Sequence, residues 1–432
     1  MPGTTASIFR STALMLKPAC AAPISCSGLV ERYVARQQRR TPKIALLPFL
    51  ATIVVLALGG CGSQPRAATE SRAVIGVSLP LAGSQGGNGL DALHAVLLAV
   101  EQMPPGSRLS IALDVRDTAR GGYANPHEDE GHDTSFDAGS AAADIRAFVA
   151  EPHLLGVIGP MTSDMARVEI PIARRAGLAL ISGSASATDL AGSRSTFFRV
   201  CPPDQTYALA AADAVTALGF RLPAVLDDAG AHGRTLAAAF VRAFNRNGGS
   251  IAARAHVGAG ADATAVLRAV RDARPDVVVY AAGPAVNVLL LRPGALDALL
   301  DPRRRALLDD WGILAPNATA YYRLAESGIP ASADAAGFAR AYRARFHAPP
   351  TRLGFDYFTA ARLLVGAIRN AADKAANTAP ARSAVLNELR ATRRFLLDGD
   401  PRESLVSVLS VRSSSVSEVR RFEIVDEAQS RP

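Results

Sequence analysis

The stretch GVIGPMTSDMARVEIPIARRAGLALISGSAS, residues 156–186, holds the plan of the chain in miniature. Its apolar opening completes the run Leu155–Ile158, which reads as a strand buried on both faces. Gly159–Thr162 breaks the run, Asp164–Ala176 follows with helical spacing, and Leu178–Ser182 is a second apolar run. Strand, loop, helix, strand in this order makes a parallel pair with the helix crossing over one face. A strand that passes straight into a helix leaves the first-turn N–H groups and the positive helix end at the carboxyl edge of the sheet, where a carboxylate is stabilised. Ser163 can donate a hydroxyl hydrogen bond to such a group, and Ser184 and Ser186 in the next strand-end loop can donate others. The same residues also fit plainer roles, Ser163 as a helix N-cap and the other two as turn formers.

The rhythm extends in both directions. Upstream, Val74–Leu79 precedes a helical pattern over Leu90–Gln102, and Leu109–Val115 precedes Ser140–Ala150. Downstream come Asp204–Leu218, Ala224–Leu226, Leu236–Asn247, Ile251–Val257, Asp262–Ala273 and Val277–Tyr280. The expected fold is therefore α/β, with two doubly wound parallel-sheet lobes covered by helices on both faces. Cys201-Pro202-Pro203 interrupts a strand and marks the crossing from lobe 1 (73–200) to lobe 2 (201–320). Phe338–Phe346 and Phe355–Asn370 read as helices, and Leu405–Val411 and Glu418–Val425 as C-terminal strands. A segment at about 330–375 is expected to return to lobe 1, and one at about 390–425 to lobe 2. Ligands in such folds bind at the carboxyl ends of the strands, so two facing lobes would enclose one cleft.

Gly121–Asp137 falls outside the rhythm and reads as a polar surface loop; its cluster His127–Asp133 has ligand-type side chains but is taken as a solvated insertion. The chain carries no G-x-S-x-G elbow, no H-E-x-x-H and no G-x-x-x-x-G-K-[ST], so neither an enzyme nor a metal or other cofactor is called for.

The N-terminal part decides where the protein is sent. Ile44–Leu58 is apolar, follows Arg39, Arg40 and Lys43, and is shorter than the roughly 20 residues of a membrane-spanning helix, the layout of a secretory signal. Leu58-Gly59-Gly60-Cys61 resembles the bacterial lipobox, which implies diacylglyceration of the Cys61 thiol and cleavage just before it. Residues 1–60 are then signal peptide and N-terminal extension, and 61–72 a lipidated linker. This leader holds seven Lys/Arg and one acid, so its removal takes the formal charge from +8 to +2 and leaves no basic patch to suggest nucleic acid. Cys201 is left as a single thiol, which excludes a disulfide framework.

From Ala73 to about Arg292 the chain resembles the Leu/Ile/Val-binding family of solute-binding proteins, the type I periplasmic-binding fold that serves ABC importers. IGVSLPLAGSQGGNGLDALHAVLLAVEQ (75–102) is similar to the family's first strand, glycine-containing loop and first helix. The 156–186 stretch resembles its second signature, and DDAGAHGRTLAAAFVRAF (227–244) its lobe-two segment. The resemblance implies a clamp for an amino-acid backbone made by Ser163, the Ala185 carbonyl and Ser186. Ser84, Asn88, Thr162, Ser184, His232, Gly283 and Asp310 complete the ligand-site residues. Asn88 stands where the family often has an aromatic residue, His232 where it usually has tyrosine, and Gly283 where an aromatic is common, so branched-chain ligands do not follow. Asp310, before Trp311, is the candidate for holding an ammonium group or is a helix cap. Thr162 occupies one position of a cysteine pair found in some members and absent here.

The implied function is a monomeric, lipid-anchored extracytoplasmic protein of the bacterial envelope. It closes its lobes around a small polar solute, an amino acid or a relative of one, and hands it to the permease subunits of an ABC importer. The alternative is a lipoprotein whose binding fold is degenerate and which serves as an envelope sensor or docking partner.

Overall fold

The computed structural model describes residues 71–83, 85–102, 109–119, 137–192, 195–227, 229–257, 264–282, 287–291, 321–326, 332–375, 380–412 and 415–425, all within one compact unit. Cys61, Ser84, Gly283, Asp310 and the His127–Asp133 cluster lie outside the described residues, as does the side chain of His232. Two sheets organise the described residues.

The first sheet has the order β2-β1-β3-β4-β5, with β1 (Ser71–Leu79), β2 (Leu109–Asp117), β3 (Leu154–Ile158), β4 (Ala179–Ser182) and β5 (Phe197–Arg199) all parallel. Every residue of β3, β4 and β5 is buried, as continuous apolar runs in a doubly covered sheet must be. Helices α1 (Gly86–Glu101), α2 (Ala138–Ala150) and α3 (Ser163–Arg175) make the crossovers. Later in the chain, α7 (Ala333–Phe346), α8 (Arg352–Lys374) and α9 (Arg382–Ala391) return to this lobe, with α8 packed on α1, β3 and β4.

Two glycines show how close the layers come. Ile75 pairs with Gly156 and Gly76 with Val157, so the two glycines look to opposite faces. A Cβ on Gly76 would meet the Phe148 ring of α2 at 3.0 Å, and one on Gly156 would meet Leu364 of α8 at 2.7 Å. Helices α2 and α8 thus cover opposite faces. Because β1 has β2 on one side and β3 on the other, the strand order reverses between β1 and β3, and the crevice of the lobe opens at their carboxyl ends.

The second sheet is mixed, with the order β12-β11-β10-β9-β8-β6-β7. Strands β6 (Pro223–Asp227), β7 (Ala253–His256) and β8 (Val277–Ala282) are parallel and linked by α5 (Ala231–Arg246) and α6 (Thr264–Asp272). Here the fold departs from the all-parallel expectation. Strands β9 (Asn287–Leu291), β10 (Tyr321–Glu326), β11 (Glu403–Arg412) and β12 (Ser415–Val425) continue the sheet antiparallel. Helix α4 (Asp204–Ala217) lies on this sheet, and its small buried face, Ala208, Ala210, Ala211, Ala212 and Ala214, lets it approach α5 and the strands closely.

The chain passes from β5 to α4 through Val200–Pro203, and from α9 to β11 through Thr392–Arg402. Among the described residues no helix is long and apolar enough to cross a membrane.

Candidate functional site

The site grows from the switch point of the first sheet. Beyond Ile158 the chain turns at Gly159, whose φ of +117° only glycine tolerates readily, and where a Cβ would stand 2.3 Å from the Ser78 carbonyl oxygen. Helix α3 then begins at Ser163. Its N-cap is Thr162 rather than Ser163, because the Thr162 hydroxyl accepts from Met165 N at 3.3 Å. Ser163 is therefore released from capping. Its Oγ accepts from Ala187 N at 3.1 Å, which fixes the oxygen while leaving the hydroxyl proton free of any partner among the described residues.

The loop after β4 is held on three sides. Ser182 Oγ accepts from Ser184 N at 3.1 Å and Ala185 N at 2.9 Å, and donates to the Pro160 carbonyl at 2.7 Å. The Ser184 hydroxyl donates to Met161 O at 2.7 Å and lies 3.1 Å from the Tyr357 hydroxyl, so its proton is used inside the protein. The Ala185 carbonyl accepts from Arg199 Nη1 at 3.1 Å, and the Ser186 carbonyl from Asp204 N at 2.8 Å. The Ser186 side chain is nearly buried and its hydroxyl has no hydrogen-bond partner among the described residues. Asn88 donates from Nδ2 to Gln85 Oε1 at 2.8 Å in the first turn of α1.

The structure thus gathers Thr162, Ser163, Ser184, Ala185 and Ser186 at adjacent strand ends, with two serine hydroxyl protons, of Ser163 and Ser186, left for an acceptor. Beneath them lies Glu169 of α3, fully buried, with Oε1 accepting from the Ser78 hydroxyl at 2.7 Å. Burial pushes its carboxyl up to about 8, with Asp144 adding to the rise and the Ser78 hydrogen bond opposing it, so the acid is neutral at pH 7. Tyr357 is fully buried behind Gly183, and burial raises its hydroxyl well above the usual tyrosine range.

In the second sheet, the carboxyl ends of β6 and β7 carry a pair. The buried Asp227 accepts from Ala229 N at 2.9 Å through Oδ1, and its Oδ2 lies 2.7 Å from His256 Nδ1. His256 is half-exposed, and Ala229 takes a φ of +63° just before α5, whose first turn contains His232. A cavity of about 610 Å3 lies beside two of the chain's crossings between the lobes, with Val200, Pro202, Phe355, Phe395 and Arg402 in its wall; none of the predicted site residues lines it. Among the described residues no three His, Cys, Asp or Glu side chains are grouped as metal ligands.

Reading by sequence passed over Ser182, Arg199, Tyr357 and Glu169. Arg199 alone had a signal, a cation closing the apolar run Phe197-Phe198. The others act through contacts across 22 to 197 residues of chain, which no local pattern reveals.

Comparison with known proteins agrees with this architecture. The fold resembles a leucine-binding protein LivK from Thermotoga maritima, at 19% identity over 81% of this chain and 98% of that one, with a TM-score of 0.61. It resembles LivJ from Streptococcus pneumoniae, solved with isoleucine, at 18% identity over 82% and 100%, TM-score 0.59. A solute-binding protein of an ABC transporter from R. palustris, solved with benzoate, matches at 16% identity over 82% and 98%, TM-score 0.60. No curated protein matches the sequence. The family description "Periplasmic binding protein" fits residues 73–403, more than three quarters of the sequence, and on that match the chain belongs to the periplasmic binding protein family.

Proposed function

We propose that this protein is an extracytoplasmic, lipid-anchored receptor that captures a small solute bearing a carboxylate, an amino acid or an aromatic acid, and delivers it to an ABC permease. One observation carries the reading. At the switch point of the first sheet the Ser163 oxygen is held by Ala187 N–H while its proton has no acceptor among the described residues, beside the first-turn N–H groups of α3. A carboxylate placed there gains a hydroxyl donor and the positive helix end together. Ser186 supplies a second hydroxyl, and the strand ends of the second sheet close over the solute from the other side. Closure is a population shift: contacts made to both lobes favour the closed state by their differential affinity, and the permease reads that state. The serine clamp needs only the carboxylate, which suits both the isoleucine and the benzoate seen in two relatives of the fold. Anchoring through Cys61 follows from the lipobox-like residues; fatty-acid labelling that Cys61→Ser abolishes supports it, and equal labelling of both forms overturns it.

Calorimetry on Ser163→Ala tests the clamp after a screen of amino acids, amides, short peptides and aromatic acids. Loss of the bond from Ala187 N costs about 1 kcal/mol of apo stability. Loss of the donor to a charged carboxylate weakens solute binding by about 1.5–3 kcal/mol, roughly ten- to a hundredfold. An unchanged affinity beside a lowered apo melting temperature would return Ser163 to a structural role.

A further inference from the structure

Arg199 closes β5 with its side chain wholly out of water, an expensive place for a guanidinium, whose Nη1 and Nε are bonded while Nη2 has no partner among the described residues. Its Nη1 donates to two carbonyls of the serine loop, Ala185 at 3.1 Å and Ala187 at 2.8 Å. Its Nε donates to Asp400 Oδ1 at 2.7 Å. Asp400 belongs to the segment that leads from α9 of the first lobe to β11 of the second sheet, and the segment bends into a small hairpin closed by the bridge between Phe395 and Pro401. The hairpin is docked on β5 by further contacts. Arg199 N donates to Gly399 O at 3.1 Å, and the Phe198 and Phe395 rings lie 5.1 Å apart. A Cβ on Gly399 would meet Phe197 O at 1.9 Å, so no larger residue fits the approach. The same loop is tied to the other connection, because Asp204 N, at the start of α4 on the second sheet, donates to Ser186 O at 2.8 Å.

We propose that Arg199 is a positioning residue that joins the loop Ser184–Ala187 to the Phe395–Pro401 hairpin, so that solute contact at the loop and movement of the connection between the lobes are coupled. The proposal rests on the solute-binding reading of the loop. It assigns Arg199 no contact with solute: one guanidinium orients the carbonyls on either side of Ser186, and through Asp400 it holds them in register with the segment that must flex when the second sheet moves. The cavity beside Val200, Pro202 and Phe395 leaves these connections room to shift.

Hydrogen exchange read by mass spectrometry on the full chain tests the coupling. In Asp400→Asn without solute, peptides covering residues 183–190 should exchange at least tenfold faster, while β1 and β3 stay at their wild-type rates. Arg345→Gln, which removes an exposed ion pair to Glu101 in the same lobe, should change neither. If Asp400→Asn does not fold, Arg199→Lys, which keeps the charge but cannot serve two carbonyls and a carboxylate together, should give the same loop-confined acceleration. A solute found by the screen should bind Asp400→Asn at least tenfold more weakly. An unchanged loop, or acceleration spread evenly over the first sheet, overturns the proposal; so does a loosened loop with unchanged affinity. If no solute binds the wild type, the solute reading fails, and the exchange without solute still decides whether Arg199 holds the loop.

Discussion

The strand ends of the two sheets differ in how their described residues are bonded. At the first sheet, the loop between Ser182 and Ala187 has its backbone groups bonded to Ser182, Ser163, Arg199 and Asp204. At the second, the corresponding edge of β6 and β7 shows an aspartate paired with a half-exposed histidine and an alanine at positive φ. On the solute-binding reading proposed above, the first-sheet loop is the preorganised half of the site. A preformed half spends less ordering entropy when solute arrives.

Substitutions can break this contrast, beginning with the largest effect. Gly159→Ala must relieve a Cβ placed 2.3 Å from Ser78 O and a φ of +117°, so it should destabilise the chain by about 3 kcal/mol or more in urea unfolding. Gly248, at a φ of +81° after α5 of the second lobe, has nothing within 4 Å of an added Cβ. Gly248→Ala should therefore cost only about 1 kcal/mol. Equal losses at the two sites would mean that the close approach to Ser78 O at Gly159 adds nothing to the cost of a positive φ.

Glu169 sharpens the same comparison through pH. Its carboxyl titrates near 8 in the folded chain against about 4.5 when unfolded, so between these values the native state holds more protons than the unfolded state. Stability then falls as pH rises through that window, by up to about 1.4 kcal/mol per pH unit. Glu169→Gln, which mimics the neutral acid, should flatten the slope; an unchanged slope in the variant would place its origin elsewhere. The smallest effect is expected in the second lobe, where His256→Gln removes a half-exposed partner of Asp227 and should cost about 1 kcal/mol or less in the same unfolding experiment.

Much of this molecule was legible from local pattern because parallel strands covered on both faces must be apolar throughout. The runs at 154–158, 179–182 and 223–227 announce themselves for that reason. The signals faded where the sheet changed character. Strands β9 and β10 join the second sheet antiparallel, so the strand-helix-strand rhythm that flagged the earlier strands does not govern how they pair. Helix α9 was also missed, since Arg382–Ala391 has only Val385, Leu386 and Leu389 on its buried face. At the site, the serines could be named from their place after two strands, but their division of labour could not. Whether Thr162 or Ser163 caps α3 depends on which hydroxyl reaches Met165 N, and the fate of the Ser184 proton depends on the Met161 carbonyl, 23 residues away.

The central claim is that both strand-end regions hold one solute. Hydrogen exchange with increasing concentrations of a solute from the screen measures this directly, comparing peptides over 159–166 and 183–190 with those over 223–234. The account predicts slowed exchange in both lobes with the same midpoint concentration. Protection of one lobe alone, or of neither by any amino acid or aromatic acid, would contradict it.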